Sequence, residues 1–172
     1  MKLTTPLALL LLLCSTVALA TERQIEIDSK VITEHKTEVN GKRFSYSATT
    51  GTQPVWDDEG NPTATLFYTY YQRSDIKDRS KRPLLISFNG GPGSASVWMH
   101  IAYTGPKALV IDEEGYPVQP YGVKTNPYSV LDVADIVFVN PLNTGYSRVL
   151  PGKDGIMPSK DQQQKMFFGV NA

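Results

Sequence analysis

The chain has 172 residues, enough for one ordinary domain, and its 41% hydrophobic and 20% charged composition is that of a folded globular protein. Lys plus Arg number 17 and Asp plus Glu also number 17, so no excess of positive charge exists to release counterions from a nucleic-acid backbone. Nucleic acid is a poor candidate partner, and disorder is disfavoured.

The first twenty residues read as an export signal. Lys2 supplies a charged start, residues 7–13 an apolar stretch, and Ala18-Leu19-Ala20 a small-residue cleavage site. The mature chain is expected from Thr21, in the periplasm or outside the cell. The apolar stretch is shorter than the roughly 20 residues a membrane span needs. The single cysteine, Cys14, lies inside this segment, and Leu13 stands where lipid attachment wants a small residue. Residues 21–172 therefore hold neither a disulfide nor a thiolate metal site.

Residues 43–49 alternate in character, and residues 63–72 are dense in Thr, Tyr and Phe. Both are expected to be strands, joined as a hairpin across a polar 51–62 connection. A charged connector over 73–82 leads to Pro83-Leu84-Leu85-Ile86-Ser87-Phe88, a run of the length and apolarity expected for a strand buried on both faces. Asn89-Gly90-Gly91-Pro92-Gly93 ends it, and Ser94 or Ser96 is placed to cap a short helix through Val97, Trp98 and Ile101.

Residues 105–129 are rich in Gly, Pro, Tyr and Asn and read as loop, with one short hairpin around Glu114-Gly115. Asp135-Ile136-Val137-Phe138-Val139 forms a second buried strand, and a helix is expected to begin near Lys160, with apolar Met166-Phe167-Phe168 beyond it. Antiparallel strands followed by buried strands with crossovers imply a mixed α/β sheet. As it stands that sheet is incomplete, with an edge and faces left uncovered.

The chemistry-bearing segment is the glycine turn. Glycines directly after a buried strand let main-chain N–H groups converge on one spot at the mouth of a sheet, where an anion or a developing oxyanion binds. A purely structural turn remains an alternative. A dinucleotide fingerprint is a second, since Gly91-Pro92-Gly93-Ser94-Ala95-Ser96 lacks only the last glycine and Asp112 lies about 20 residues on. The upstream hairpin and the export signal count against it, and no cofactor is expected. A phosphate-cradling loop fails, because no Gly-Lys-Ser/Thr follows.

Asn89-Gly90-Gly91-Pro92-Gly93-Ser94 resembles the signature loop of the serine carboxypeptidase family. Three further landmarks follow in family order: Gly105-Pro106, then Asn126-Pro127-Tyr128-Ser129, then the 135–140 strand running into Pro141-Leu142-Asn143-Thr144-Gly145-Tyr146-Ser147. The resemblance implies the N-terminal part of an α/β-hydrolase sheet, in an exported protein of bacterial type. By the same resemblance, the Gly91 N–H donates to the oxyanion of the tetrahedral intermediate. Asn89, with Gly90 beside it, binds the free carboxylate of a peptide substrate. Trp98 and Tyr103 are candidate walls of the pocket for the leaving residue, although core packing is the plainer account of Trp98.

Two positions depart from the family pattern. Ser87 stands where a tryptophan commonly helps hold the carboxylate, and Ser94 where a cysteine commonly forms a structural disulfide.

Acyl transfer on this fold needs a serine elbow, an acid and a histidine in that chain order. Gly145-Tyr146-Ser147-Arg148-Val149 imitates an elbow but lacks the second glycine, and both histidines, His35 and His100, come too early. Asp132 and Asp135 read as turn residues before the second buried strand. The triad is thus expected outside these residues and the 172-residue chain is expected to be inactive by itself. No metal is expected, since the histidines have no carboxylate partners at ligand spacing.

Overall fold

The computed structural model describes residues 26–90 and 93–163. The expected export signal, Gly91 and Pro92 of the glycine turn, and the apolar 166–170 segment lie outside the described residues.

A mixed six-stranded sheet carries the architecture. Strands β1 (Ser29–Val39), β2 (Lys42–Trp56) and β3 (Pro62–Arg73) form an antiparallel meander. Strand β7 (Asp135–Val139) pairs antiparallel with β3, and β4 (Leu84–Ser87) pairs parallel with β7, giving the order β1-β2-β3-β7-β4. The short β8 (Arg148–Val149) adds to the far end of β3 at Ala64 and Thr65. A separate small ladder joins β5 (Lys107–Leu109) to β6 (Val123–Thr125). Among the described residues no helix is long and apolar enough to cross a membrane.

Several expectations are corrected. Strand β1 was not read from the sequence, because its exposed edge position leaves it polar: Thr33, Glu34, His35 and Lys36 all face solvent. Its signal lay in Asn40-Gly41, whose positive φ values of 51° and 72° make the two-residue turn that matches strand twist. The stretch expected to be a polar connection is strand as far as Trp56, and the chain turns only at 57–60, where the Asp57 carboxylate accepts the N–H groups of Glu59 and Asn61. Residues 105–129 contain the β5–β6 ladder, with a single bridge from Ile111 to Pro117 around the Glu114-Gly115 turn.

The core is divided by the sheet. On one face Val39, Phe44 and Tyr46 close over Leu131, delivered by a 3-10 turn (Val130–Asp132), with Tyr71 alongside. On the other, Ala64, Leu142 and Val149 pack together with Leu66. Leu66 and Tyr71 are an odd number of residues apart on β3, so their side chains leave opposite faces. Each large apolar side chain withdrawn from water in these clusters contributes about 1.5–3 kcal/mol.

Strand β4 breaks the expectation of burial on both faces. Leu84, Leu85 and Ile86 are 55%, 41% and 60% exposed, and only Ser87 is buried. An apolar run records what a strand's faces require. It does not supply the neighbour, and among the described residues β4 has one ladder partner, β7.

Candidate active-site loop

The glycine turn leaves β4 at its C-terminal end, beside the C-terminal end of parallel β7. This is the edge at which open α/β sheets present loops to ligands. Asn89 is half-buried and Gly90 exposed. Gly93 has a φ of 98°, a conformation that glycine adopts freely. Gly91, the expected oxyanion donor, is outside the described residues.

The carboxamide of Asn89 has a defined orientation. Its Oδ1 accepts the Met99 N–H at 3.3 Å, which turns Nδ2 the other way, and Nδ2 has no hydrogen-bond partner among the described residues. The Asn89 main-chain N–H in turn donates to Ser96 Oγ at 3.2 Å. What this residue can offer a ligand is therefore an N–H donor.

Behind the loop, Ser96 is 2% exposed and makes contacts in three directions. Its Oγ donates to Val139 O, its lone pair receives Asn89 N–H, and its own N–H donates to Asn140 Oδ1 at 3.0 Å. The expected role of Ser94 or Ser96 as a helix cap is not what is found. The segment after the loop is helical from 97 and continues as a π-helical turn (Met99–Thr104); Ser96 O accepts the His100 N–H at its start, but neither serine makes a side-chain capping bond. Ser96 is instead the bolt between loop and sheet.

The remaining family-like landmarks build the scaffold around this turn. Asn126, 4% exposed, donates through Nδ2 to both Tyr103 O and Gly105 O at 2.8 Å and accepts Tyr128 N–H through Oδ1. Ser129 Oγ donates to Thr104 O. Both residues thereby hold the end of the π-helical turn, leaving its unpaired carbonyls satisfied. After β7, Ser147 is fully buried; its Oγ donates to Asn140 O at 2.6 Å and accepts Phe67 N–H at 2.9 Å. Asn140 N–H returns to Phe67 O. The Ser147 hydroxyl is thus committed to the backbone of β3 and of Asn140.

Histidine 100 faces inward. Its ring stacks on Phe138 with centroids 4.6 Å apart, and Nε2 lies 2.5 Å from Tyr71 Oη. Burial pushes the imidazole down to about 4 and the Tyr71 phenol upward, so the two groups share this hydrogen bond as a neutral pair. The His35 ring is bonded to Thr33 Oγ1 at 2.7 Å and stacks on Tyr46, on a different part of the sheet.

Trp98 and Tyr103 are 58% and 63% exposed, so Trp98 is not part of the core that the described residues form. Phe88 and Val97, next to the loop in sequence, are exposed as well. Ser87, at the position of the family's tryptophan, is buried and can present no indole to a ligand.

Sequence reading took Asp135 for a turn residue and missed its partners. Asp135 is 5% exposed and bonded to Arg82 Nε at 2.7 Å, Arg79 at 2.6 Å and the Arg73 N–H at 3.1 Å. Arg82 also donates to Leu131 O and Ala134 O. The basic connector over 73–82 was the available signal. It lies at the end of β7 away from the glycine turn, so its role is to anchor the strand. Among the described residues no group of three or more His, Cys, Asp or Glu is arranged to hold a metal.

Comparison with known proteins agrees with the landmarks. The family described as serine carboxypeptidase matches residues 44–168. A carboxypeptidase Y homolog A from Pyrenophora tritici-repentis is 30% identical over 92 residues, covering 53% of this chain and 15% of that protein. Serine carboxypeptidase-like 36 from Arabidopsis thaliana is 34% identical over 88 residues, covering 51% of this chain and 17% of that protein. The chain thus spans about a sixth of the length of these relatives, which are fungal and plant and lend no support to a bacterial type. A prohormone-processing carboxypeptidase from Saccharomyces cerevisiae aligns structurally at 23% identity, over 67% of this chain and 23% of that chain, with a TM-score of 0.47.

Proposed function

The chain belongs to the serine carboxypeptidase family, and from that premise we propose that it forms the oxyanion and carboxylate-binding part of a serine-type carboxypeptidase site. In this reading Asn89 Nδ2 donates to the free carboxylate of a peptide, with Gly90 alongside, and the Gly91 N–H faces the oxyanion of the tetrahedral intermediate. Trp98 and Tyr103 flank the leaving residue. A carboxamide donor one or two residues from the oxyanion donor measures the distance from scissile carbonyl to chain end, and so selects removal of the C-terminal amino acid. With Ser87 in place of an indole, carboxylate binding leans more heavily on Asn89.

The observation that carries this reading is the bond from Met99 N–H to Asn89 Oδ1, which turns the oxygen toward the helix and leaves the Nδ2 donor face without a partner among the described residues. An acceptor-only ligand such as a carboxylate is the complement of that face.

The acyl-enzyme would form on a serine outside the described residues, since Ser147 Oγ is bonded to Asn140 O and Phe67 N–H, and His100 Nε2 to Tyr71. The 172-residue chain accordingly binds without turnover. Residues 1–20 would direct export and be removed near Ala20, leaving 21–172 as part of the catalytic domain.

The test is a titration of the purified chain with an N-acetyl amino acid and with its C-terminal amide, alongside an assay on an N-blocked dipeptide. Binding of the acid in preference to the amide, with no hydrolysis, is expected. Equal binding of the amide would favour an esterase-like or aminopeptidase-like hydrolase. Hydrolysis stopped by a serine-directed reagent would overturn the assignment of the nucleophile to another segment.

A further inference from the structure

We propose that Ser96 and Asn140 are positioning residues that lock the Asn89 carboxamide with its N–H face outward, and that Gly145 is required because it makes room for Asn140. This inference rests on Asn89 being the carboxylate-binding residue. It adds the mechanism that holds Asn89 in place and links two sequence landmarks about fifty residues apart, the glycine turn and the Thr144-Gly145-Tyr146-Ser147 stretch.

The hydrogen-bond directions are forced in sequence. Val139 O can only accept, so the single Ser96 hydroxyl proton points there and its lone pair is left for Asn89 N–H. Ser96 N–H can only donate, so the Asn140 carboxamide must present Oδ1 to it and turn Nδ2 the other way. On that other side stands Gly145, in the left-handed region at a φ of 50°, where a Cβ would lie 2.2 Å from Asn140 Nδ2 and 2.8 Å from its Cγ. No such Cβ can be accommodated without rotating the amide.

Asn140 is itself held through its main chain, by Phe67 O at its N–H and by Ser147 Oγ at its carbonyl. Rotation of its side chain would therefore be transmitted to Ser96 and not absorbed by backbone movement. Asn89 is gripped at its N–H by Ser96 and at Oδ1 by Met99 N–H. Loss of the first grip releases the loop that aligns the second.

The experiment uses the 15N-labelled 172-residue chain. It reads the Asn89 side-chain resonances during titration with N-acetyl-phenylalanine or its amide, and the hydrogen-exchange protection of Met99 N–H without ligand. Ser96→Ala and Gly145→Ala are each expected to lower the preference for the acid about tenfold and Met99 protection by a similar factor. Amides of β7 paired with β3 should keep their protection. Ser96→Thr, which keeps the hydroxyl, should retain both properties.

Unchanged acid preference and unchanged Met99 protection in Ser96→Ala would overturn the proposal. Absence of acid preference in the unmutated chain would sink the carboxylate reading and, with it, the functional role of the lock; the exchange data would still report whether Ser96 orders the loop. If Ser96→Ala fails to fold, Asn140→Asp, which keeps an acceptor for Ser96 N–H, is compared with Asn140→Leu. Retention by the first and loss by the second supports the lock, and equal behaviour overturns it.

Discussion

At its N-terminal end β7 begins with Asp135, 5% exposed and enclosed by the Arg73 main-chain N–H at the end of β3 and by Arg79 and Arg82 from the β3–β4 connection. At its C-terminal end it faces the glycine turn, where Phe88, Val97, Trp98 and Tyr103 are between 46% and 63% exposed. One end spends its polar groups on one another; the other, among the described residues, leaves the Asn89 Nδ2 donor without a partner and several apolar side chains exposed. A charge buried at the closed end must be fully paired, because removing it from water costs several kcal/mol. A binding edge gains by the opposite arrangement, since donors already satisfied inside the protein have nothing to give a ligand.

The sharpest way to break this contrast is at the closed end. Asp135→Ala leaves the Arg82 guanidinium, 6% exposed, without its counter-charge, and about 3–5 kcal/mol of stability should be lost in urea unfolding. A loss below about 1 kcal/mol would show that the cluster is solvated and that its enclosure contributes little.

Acid should weaken the middle of the strand. His100 is held at about 4 in the folded chain against 6.5 in a free imidazole, so between those values the unfolded state binds a proton that the folded state refuses. Stability is then complete above about pH 6.5 and falls as pH drops toward 4, by about 3 kcal/mol at most. His100→Phe, which keeps a ring against Phe138, should remove this component of the pH slope. An unaltered slope would place the acid sensitivity in the carboxylates instead.

The smallest effect belongs to the open end. Ile86→Thr on β4, at 60% exposure, should change stability by no more than about 0.5 kcal/mol. A loss of 2 kcal/mol or more would mean that this face is covered in solution and would erase the contrast.

Legibility in the sequence followed the same division. The apolar strand 135–139 and the glycine turn were readable because both depend on local chemistry: β-branched and aromatic side chains at strand spacing, and glycine where a Cβ does not fit. Strand β1 was not, since an exposed edge strand carries no apolar alternation; only Asn40-Gly41 marked it. Asp135 was misread because one carboxylate before a strand looks alike whether it ends a turn or receives several N–H donors.

The sequence by itself determined the family landmarks, their order, the positions of the β3, β4 and β7 strands and the candidacy of Asn89. Tertiary structure alone decided which way the Asn89 amide is turned, what Ser96 and Asn140 hold, and that among the described residues β4 lies at the sheet edge. Each of those facts depends on groups brought together from some seven to fifty or more residues away in the chain, and a hydrogen-bond direction exists only once both partners are in place.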